Sequence, residues 1–117
     1  VRAVRIATAE SYEPERDWRR SSLCNEGDVS VEHFVKPPGH ASPRHHHANS
    51  QVLVVLRGRL AVATDEEGEL ELGEGDAVYI PGGQAHVVTN PLDVASSGLD
   101  IFVPGRSFDF WLKRKRR

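Results

Sequence analysis

Gly39-His40-Ala41-Ser42-Pro43-Arg44-His45-His46-His47-Ala48-Asn49-Ser50-Gln51-Val52-Leu53-Val54-Val55-Leu56-Arg57-Gly58 decides how this chain folds. Side chains alternate faces along an extended segment, so His45 and His47 point one way and His46 points the other. Two imidazoles placed two residues apart can share an ion. Gln51 opens the next strand beyond a short polar turn. Its amide supplies either a further donor or a hydrogen bond that orients a water or a substrate. A second stretch, Gly75-Asp76-Ala77-Val78-Tyr79-Ile80-Pro81-Gly82-Gly83-Gln84-Ala85-His86-Val87-Val88-Thr89-Asn90, places His86 35 residues after Gln51, just beyond a Pro-Gly-Gly turn. An ion held by all four residues is gripped from two separate hairpins. A run of three histidines alone reads as a solvated loop. The matching turn and histidine downstream argue for a metal site at His45, His47, Gln51 and His86, and leave His33, His40 and His46 facing solvent or packed against neighbouring strands.

These stretches resemble the cupin superfamily. Gly39, His45, His47 and Gly58 fit its first pattern, Gly-x5-His-x-His-x3-Glu-x6-Gly, with Gln51 where glutamate is usual. Gly75, Pro81, Gly83, His86 and Asn90 fit its second pattern, and sixteen residues separate Gly58 from Gly75. The resemblance implies a small single-domain cupin, an all-β double-stranded β-helix or jelly-roll barrel. It also implies one bound divalent transition metal and, as in many cupins, a homodimer.

Alternation and turn residues point independently to an all-β chain. Short β-branched or alternating runs at 4–8, 29–36, 51–57, 59–64, 69–72, 77–80, 86–90 and 99–103 read as strands, separated by turn signals at sandwich or barrel spacing. Residues 10–27 are charged and poorly patterned, and read as an arm with a turn or two of helix. A short helix is expected at 107–113, with Ser107 as its cap. The expected organisation is one domain: a strand and arm at 1–28, the barrel at 29–106, and a helix and basic tail at 107–117. If Gln51 points inward, so do Leu53 and Val55. Val52, Val54 and Leu56 then form an apolar outer face that needs a cover, either the arm or a second subunit.

Composition narrows the function classes. With 117 residues, 38% of them hydrophobic, there is material for one modest core. A net charge of −2 and a pI near 6.3 do not suggest a nucleic-acid partner. The basic end Lys113-Arg114-Lys115-Arg116-Arg117 has no interleaved aromatics to stack bases and reads as a solvated tail. A single cysteine, Cys24, excludes an internal disulfide. No apolar run approaches the roughly 18 residues of a membrane span, and no basic-then-apolar opening suggests a signal peptide, so a cytoplasmic protein is expected. Methionine is absent, position 1 included, as in a trimmed or processed chain.

Three imidazoles and an amide are neutral donors, so a divalent ion keeps its whole charge and favours a small anionic ligand. Imidazole suits Zn, Fe, Ni, Mn or Cu. Beyond the second stretch, Asp100, Phe102 and Arg106 lie in Leu99-Asp100-Ile101-Phe102-Val103-Pro104-Gly105-Arg106. This segment resembles the Asp-x-Phe-x-Pro-x-Arg stretch of small cupins that include the pectin-degradation uronate ketoisomerase. That likeness implies an acid/base role for Asp100, a pocket wall at Phe102 and a carboxylate clamp at Arg106. The residues alone also admit a turn-holding aspartate, a core phenylalanine and a surface arginine. Three functions stay open: a metal-dependent isomerase, lyase or decarboxylase on a carboxylate- or keto-containing substrate; an iron-dependent dioxygenase; and a non-catalytic module that binds or senses a small ligand.

Overall fold

The computed structural model describes residues 1–115, which build nine strands and one short helix. The strands are β1 (Ser11–Glu15), β2 (Trp18–Asn25), β3 (Ser30–Lys36), β4 (Ser50–Arg57), β5 (Leu60–Thr64), β6 (Gly68–Leu72), β7 (Ala77–Ile80), β8 (Val87–Thr89) and β9 (Ser96–Val103). The helix is α1 (Asp109–Lys115). A six-stranded sheet runs β1-β2-β3-β9-β4-β7, and a three-stranded sheet runs β6-β5-β8. Neighbouring strands are antiparallel throughout. Phe34, Leu53, Val55 and Ile80 of the first sheet meet Leu60, Val62 and Val88 of the second in one apolar core. The all-β jelly roll expected from the two histidine stretches is the observed fold.

Strand phase explains which residues enter the interior. In β4, Gln51, Leu53 and Val55 are buried, Val52 and Val54 half-buried, and Leu56 exposed, as alternation from Gln51 requires. In β3 the buried set is Ser30, Glu32, Phe34 and Lys36; in β9 it is Ser96, Gly98, Asp100 and Phe102. Gly98 pairs with Phe34 across the strands, and a Cβ there would stand 2.8 Å from the Phe34 ring. Gly58 ends β4 with φ of 79°, where a side chain would also collide with Ser96.

Several expectations need correction. Residues 4–8 are not a strand: Ile6–Thr8 form an exposed 3₁₀ turn. Their alternation has no buried face to serve, since Val4 and Ile6 remain about half exposed at 46% and 48%. Residues 10–27 are not a helical arm but the β1–β2 hairpin, which enlarges the main sheet. The hairpin is hard to read because its inward face carries Arg20 beside Trp18, and the arginine is buried by pairing rather than by being apolar. Pro14 is tolerated because β1 is the outermost strand. The histidine segment is looser than a strand: His45 makes only an isolated bridge to His86, and β8 begins after His86. The helix starts at Asp109 rather than 107, with Ser107 Oγ accepting the Asp109 N–H at 3.2 Å. Trp111 of α1 packs with Trp18 and Phe108, which docks the helix on the hairpin. Arg116 and Arg117 of the basic run lie outside the described residues. No helix among the described residues is long and apolar enough to cross a membrane.

Candidate metal centre and cavity

His45, His47 and His86 converge, with one donor nitrogen from each lying within 4.8 Å of the others. The two loops that carry them are tied backbone to backbone: His45 N–H donates to His86 O at 3.2 Å, and His86 N–H to His45 O at 3.0 Å. Each ring is also oriented from behind. Nδ1 of His45 faces Pro43 O at 2.9 Å, that of His47 faces Asn49 O at 2.9 Å, and that of His86 faces Gln84 O at 2.8 Å. A carbonyl accepts only from Nδ1–H, so each neutral ring keeps its lone pair on Nε2.

The donor atoms fit a cation. Nε2 of His86 is buried and has no hydrogen-bond partner. Nε2 of His47 stands 3.0 Å from Gln51 Oε1, while the Gln51 amide nitrogen donates to Asp100 Oδ1 at 2.7 Å. With Nδ1–H already committed to Asn49 O, a neutral His47 turns an acceptor toward another acceptor. A metal ion held at this point by His47 and Gln51 would resolve that conflict. All four expected donors, including Gln51, are therefore brought together.

Behind Gln51 lies a layer of buried charge. Arg20 bonds Asp100 Oδ2 at 2.9 Å and Glu32 Oε1 at 2.7 Å. Glu32 also accepts from Arg106 at 3.2 Å and from the Trp111 indole N–H at 2.7 Å. Burial alone would lower the Arg20 pKa, but Asp100 and Glu32 outweigh it and hold the group above its usual value. Arg106 moves the other way, lowered by burial and by Arg20 despite the pull of Glu32. Its guanidinium lies over the Phe102 and Phe110 rings, at 4.2 and 4.4 Å. Phe102 is buried and meets His47 edge-on, with ring centroids 5.3 Å apart.

A cavity of about 430 Å³ joins these groups, lined by the three histidines, Gln51, Asp100, Phe102 and Arg106. Every residue singled out from the sequence for metal or ligand thus borders one space. The same cavity is lined by residues that the sequence reading passed over: Trp18, Arg20, Lys36 and Trp111. Strand phase was the usable signal, because Glu32 and Lys36 share the inward face of Phe34. Of the other histidines, His46 is exposed, His33 half-buried, and His40 is tied to Lys36 and Glu15.

Burial lowers the pKa of both His45 and His86 below the ordinary 6.5, and the backbone carbonyls only partly offset it. The unfolded chain takes up protons near pH 6.5 where the folded chain does not. The metal-free protein should keep its full stability above that pH and lose it progressively as pH falls toward the folded-state values. Urea midpoints measured between pH 8 and 5 in the presence of a chelator check this; a midpoint that rises on acidification contradicts it.

The Cupin domain family matches residues 32–102 of this chain. An uncharacterised protein of Methanocaldococcus jannaschii is 29% identical over 96 residues, spanning 79% of each chain. Among solved structures, an RmlC-like cupin from Shewanella frigidimarina superposes with a TM-score of 0.82 at 23% identity, over 94% of this chain and 96% of that one. KdgF from a Halomonas species gives 0.83 at 22% identity, over 94% and 98%. Likeness at these identities concerns the fold.

Proposed function

The chain belongs to the cupin family, and from that premise we propose that it is a metal-dependent isomerase, lyase or decarboxylase acting on a small carboxylate- or keto-containing substrate. The observation that carries the proposal is the position of Gln51, whose amide oxygen faces the histidines and whose nitrogen holds Asp100, so that donor set and carboxylate form one unit. His45, His47, Gln51 and His86 would hold a single divalent ion of Zn, Fe, Ni, Mn or Cu, which would supply Lewis-acid stabilisation of negative charge developing beside a carbonyl.

The remaining chemistry belongs to the protein. Asp100 accepts one bond at each oxygen, which leaves a lone pair on each for a substrate proton. Moving that proton between carbon and oxygen is all that keto–enol tautomerisation requires. Arg106 has a buried Nε–H without an acceptor, suited to a substrate carboxylate. Phe102 forms the wall between Arg106 and His47. The resemblance of the Asp100–Arg106 segment to the uronate ketoisomerase stretch supports the same roles.

One observation favours a second reading. Asp100 and Arg106 are both tied within the buried charge layer, as suits a module that binds a ligand without turning it over. Metal-loaded protein offered a panel of uronates, keto acids and diketones, with oxygen uptake monitored, separates the readings. We expect turnover without oxygen consumption, reduced at least about 100-fold in Asp100→Asn, the lower end of general acid–base contributions. Oxygen uptake would indicate a dioxygenase, and saturable binding without turnover a binding module.

The proposal extends to a homodimer. Register places Val52, Val54, Tyr79 and Val103 on the outer face of the main sheet, where Tyr79 and Val103 are 62% and 53% exposed. A second copy covering this face accounts for apolar residues that the β1–β2 hairpin, at the opposite edge of the sheet, does not reach. Sedimentation should show a dimer for the native chain and a monomer for Tyr79→Glu; a native monomer contradicts it.

A further inference from the structure

Lys36 ends β3 on its inward face, four residues beyond Glu32 and so about 13 Å along the strand. It is 2% exposed, borders the cavity, and has no carboxylate within ion-pair distance among the described residues. Its ammonium donates instead to His40 Nδ1 at 2.7 Å and Ser42 Oγ at 2.8 Å, and sits 4.9 Å from the centre of the Trp18 ring. His40 Nε2 in turn meets the Glu15 carboxylate at 2.5 Å, and that carboxylate is 56% exposed. Glu15, His40 and Lys36 thus form a continuous chain of polar contacts from solvent to the cavity. Beside its inner end, the Trp18 indole N–H is buried without an acceptor.

We infer that Lys36 is a second proton-transfer group of the cavity, exchanging its proton with solvent through His40 and Glu15 and presenting it to an oxygen of a bound organic acid beside the Trp18 indole N–H. The inference rests on the proposed enzymatic reading, and it supplies what that reading lacks. Asp100 works on the carbon-bound proton, and a second group that delivers a proton to oxygen spares it from spanning both atoms. Lys36 donates N–H to a developing enolate or carbonyl oxygen and is left as a neutral amine; it regains a proton from His40 in its Nδ1–H tautomer, as His40 Nε2 takes one from a Glu15 carboxyl protonated by solvent water. No oxidant or co-reactant enters.

The surroundings suit the role. Burial is the main cause that lowers the Lys36 pKa, from 10.5 to about 8. Arg20 on β2 adds to it, against opposing pulls from Asp100 on β9 and Glu15 on β1. His40, which faces Lys36 from the following loop, is itself lowered, first by burial and then by Lys36, so it stays neutral and can accept. A desolvated lysine beside another cation is the usual setting of an amine that gives up its proton near neutral pH.

Trace acetylation with acetic anhydride between pH 6 and 10, read by mass spectrometry of the Lys36 peptide in metal-loaded native protein, tests the assignment without requiring turnover. It therefore stands even if the substrate panel is silent. Exposed Lys113 serves as internal reference. Lys36 should react with a midpoint near pH 8, below the 10.5 of an ordinary lysine. Glu15→Gln, a change at an exposed position, should shift that midpoint further down, because the Glu15 carboxylate holds it up. Lys36 titrating at the ordinary lysine value of 10.5, Lys36 resisting acetylation at every pH until the protein is unfolded, or a midpoint indifferent to Glu15→Gln would each overturn the inference.

Discussion

His86→Ala is expected to abolish tight metal binding, with a loss of affinity above 100-fold. Removing a residue that merely orients a metal ligand costs about 10–100-fold, and His86 is itself a donor. Its Nε2 is the buried nitrogen without a partner, and its ring centroid is 4.4 Å from that of His45 and 5.2 Å from that of His47. Two imidazoles and an amide then remain, and they span less of the coordination sphere. Titration calorimetry with Zn²⁺ and elemental analysis of purified variants read the effect. Because His86 is fully buried, His45→Ala, at a more exposed ring, provides the control for misfolding. Binding that survives in both variants removes the metal site from these residues.

Glu32→Ala is expected to give the largest loss of stability of any single change in the buried charge layer, about 3–5 kcal/mol in denaturant unfolding, the range for stripping one partner from a buried ion pair. Glu32 is 1% exposed and answers three donors at once: Arg20, Arg106 and the Trp111 indole. Its removal leaves two guanidinium groups facing each other, with Asp100 alone to balance them. Glu32→Gln keeps the shape but not the charge, and should fall between the two. A loss below about 1 kcal/mol for Glu32→Ala would mean that water replaces the carboxylate and that the layer is wetter than its burial indicates.

The convergence of His45, His47 and His86 was legible because their spacing encodes geometry directly: two imidazoles at i and i+2, and a histidine after a turn that only certain backbones make. The strands around them were legible wherever short apolar runs lie between turn residues, as in β4 and β5. What stayed hidden is the polar half of the interior. Arg20, Glu32 and Lys36 occupy inward positions that a hydrophobic pattern assigns to apolar residues; Arg20 and Glu32 are buried by partners on other strands, and Lys36 by His40 and Ser42 of the loop that follows it. That is why the β1–β2 hairpin read as an arm: its inward face carries a buried arginine, and the residues that neutralise it lie on β3 and β9. Asp100 and Arg106 were singled out by motif alone, and their mutual connection through Arg20 and Glu32 is information that only the folded chain contains.

The reciprocal backbone bonds between His45 and His86 carry a consequence for metal choice. The two loops are already tied when the barrel closes, so an ion would be captured without new pairing between them, and these bonds offer no induced tightening with which to favour one divalent ion over another. Preference among imidazole-loving metals then follows their intrinsic order of affinity and their supply in the cell. Protein made in differently supplemented media should accordingly carry different ions in the same seat.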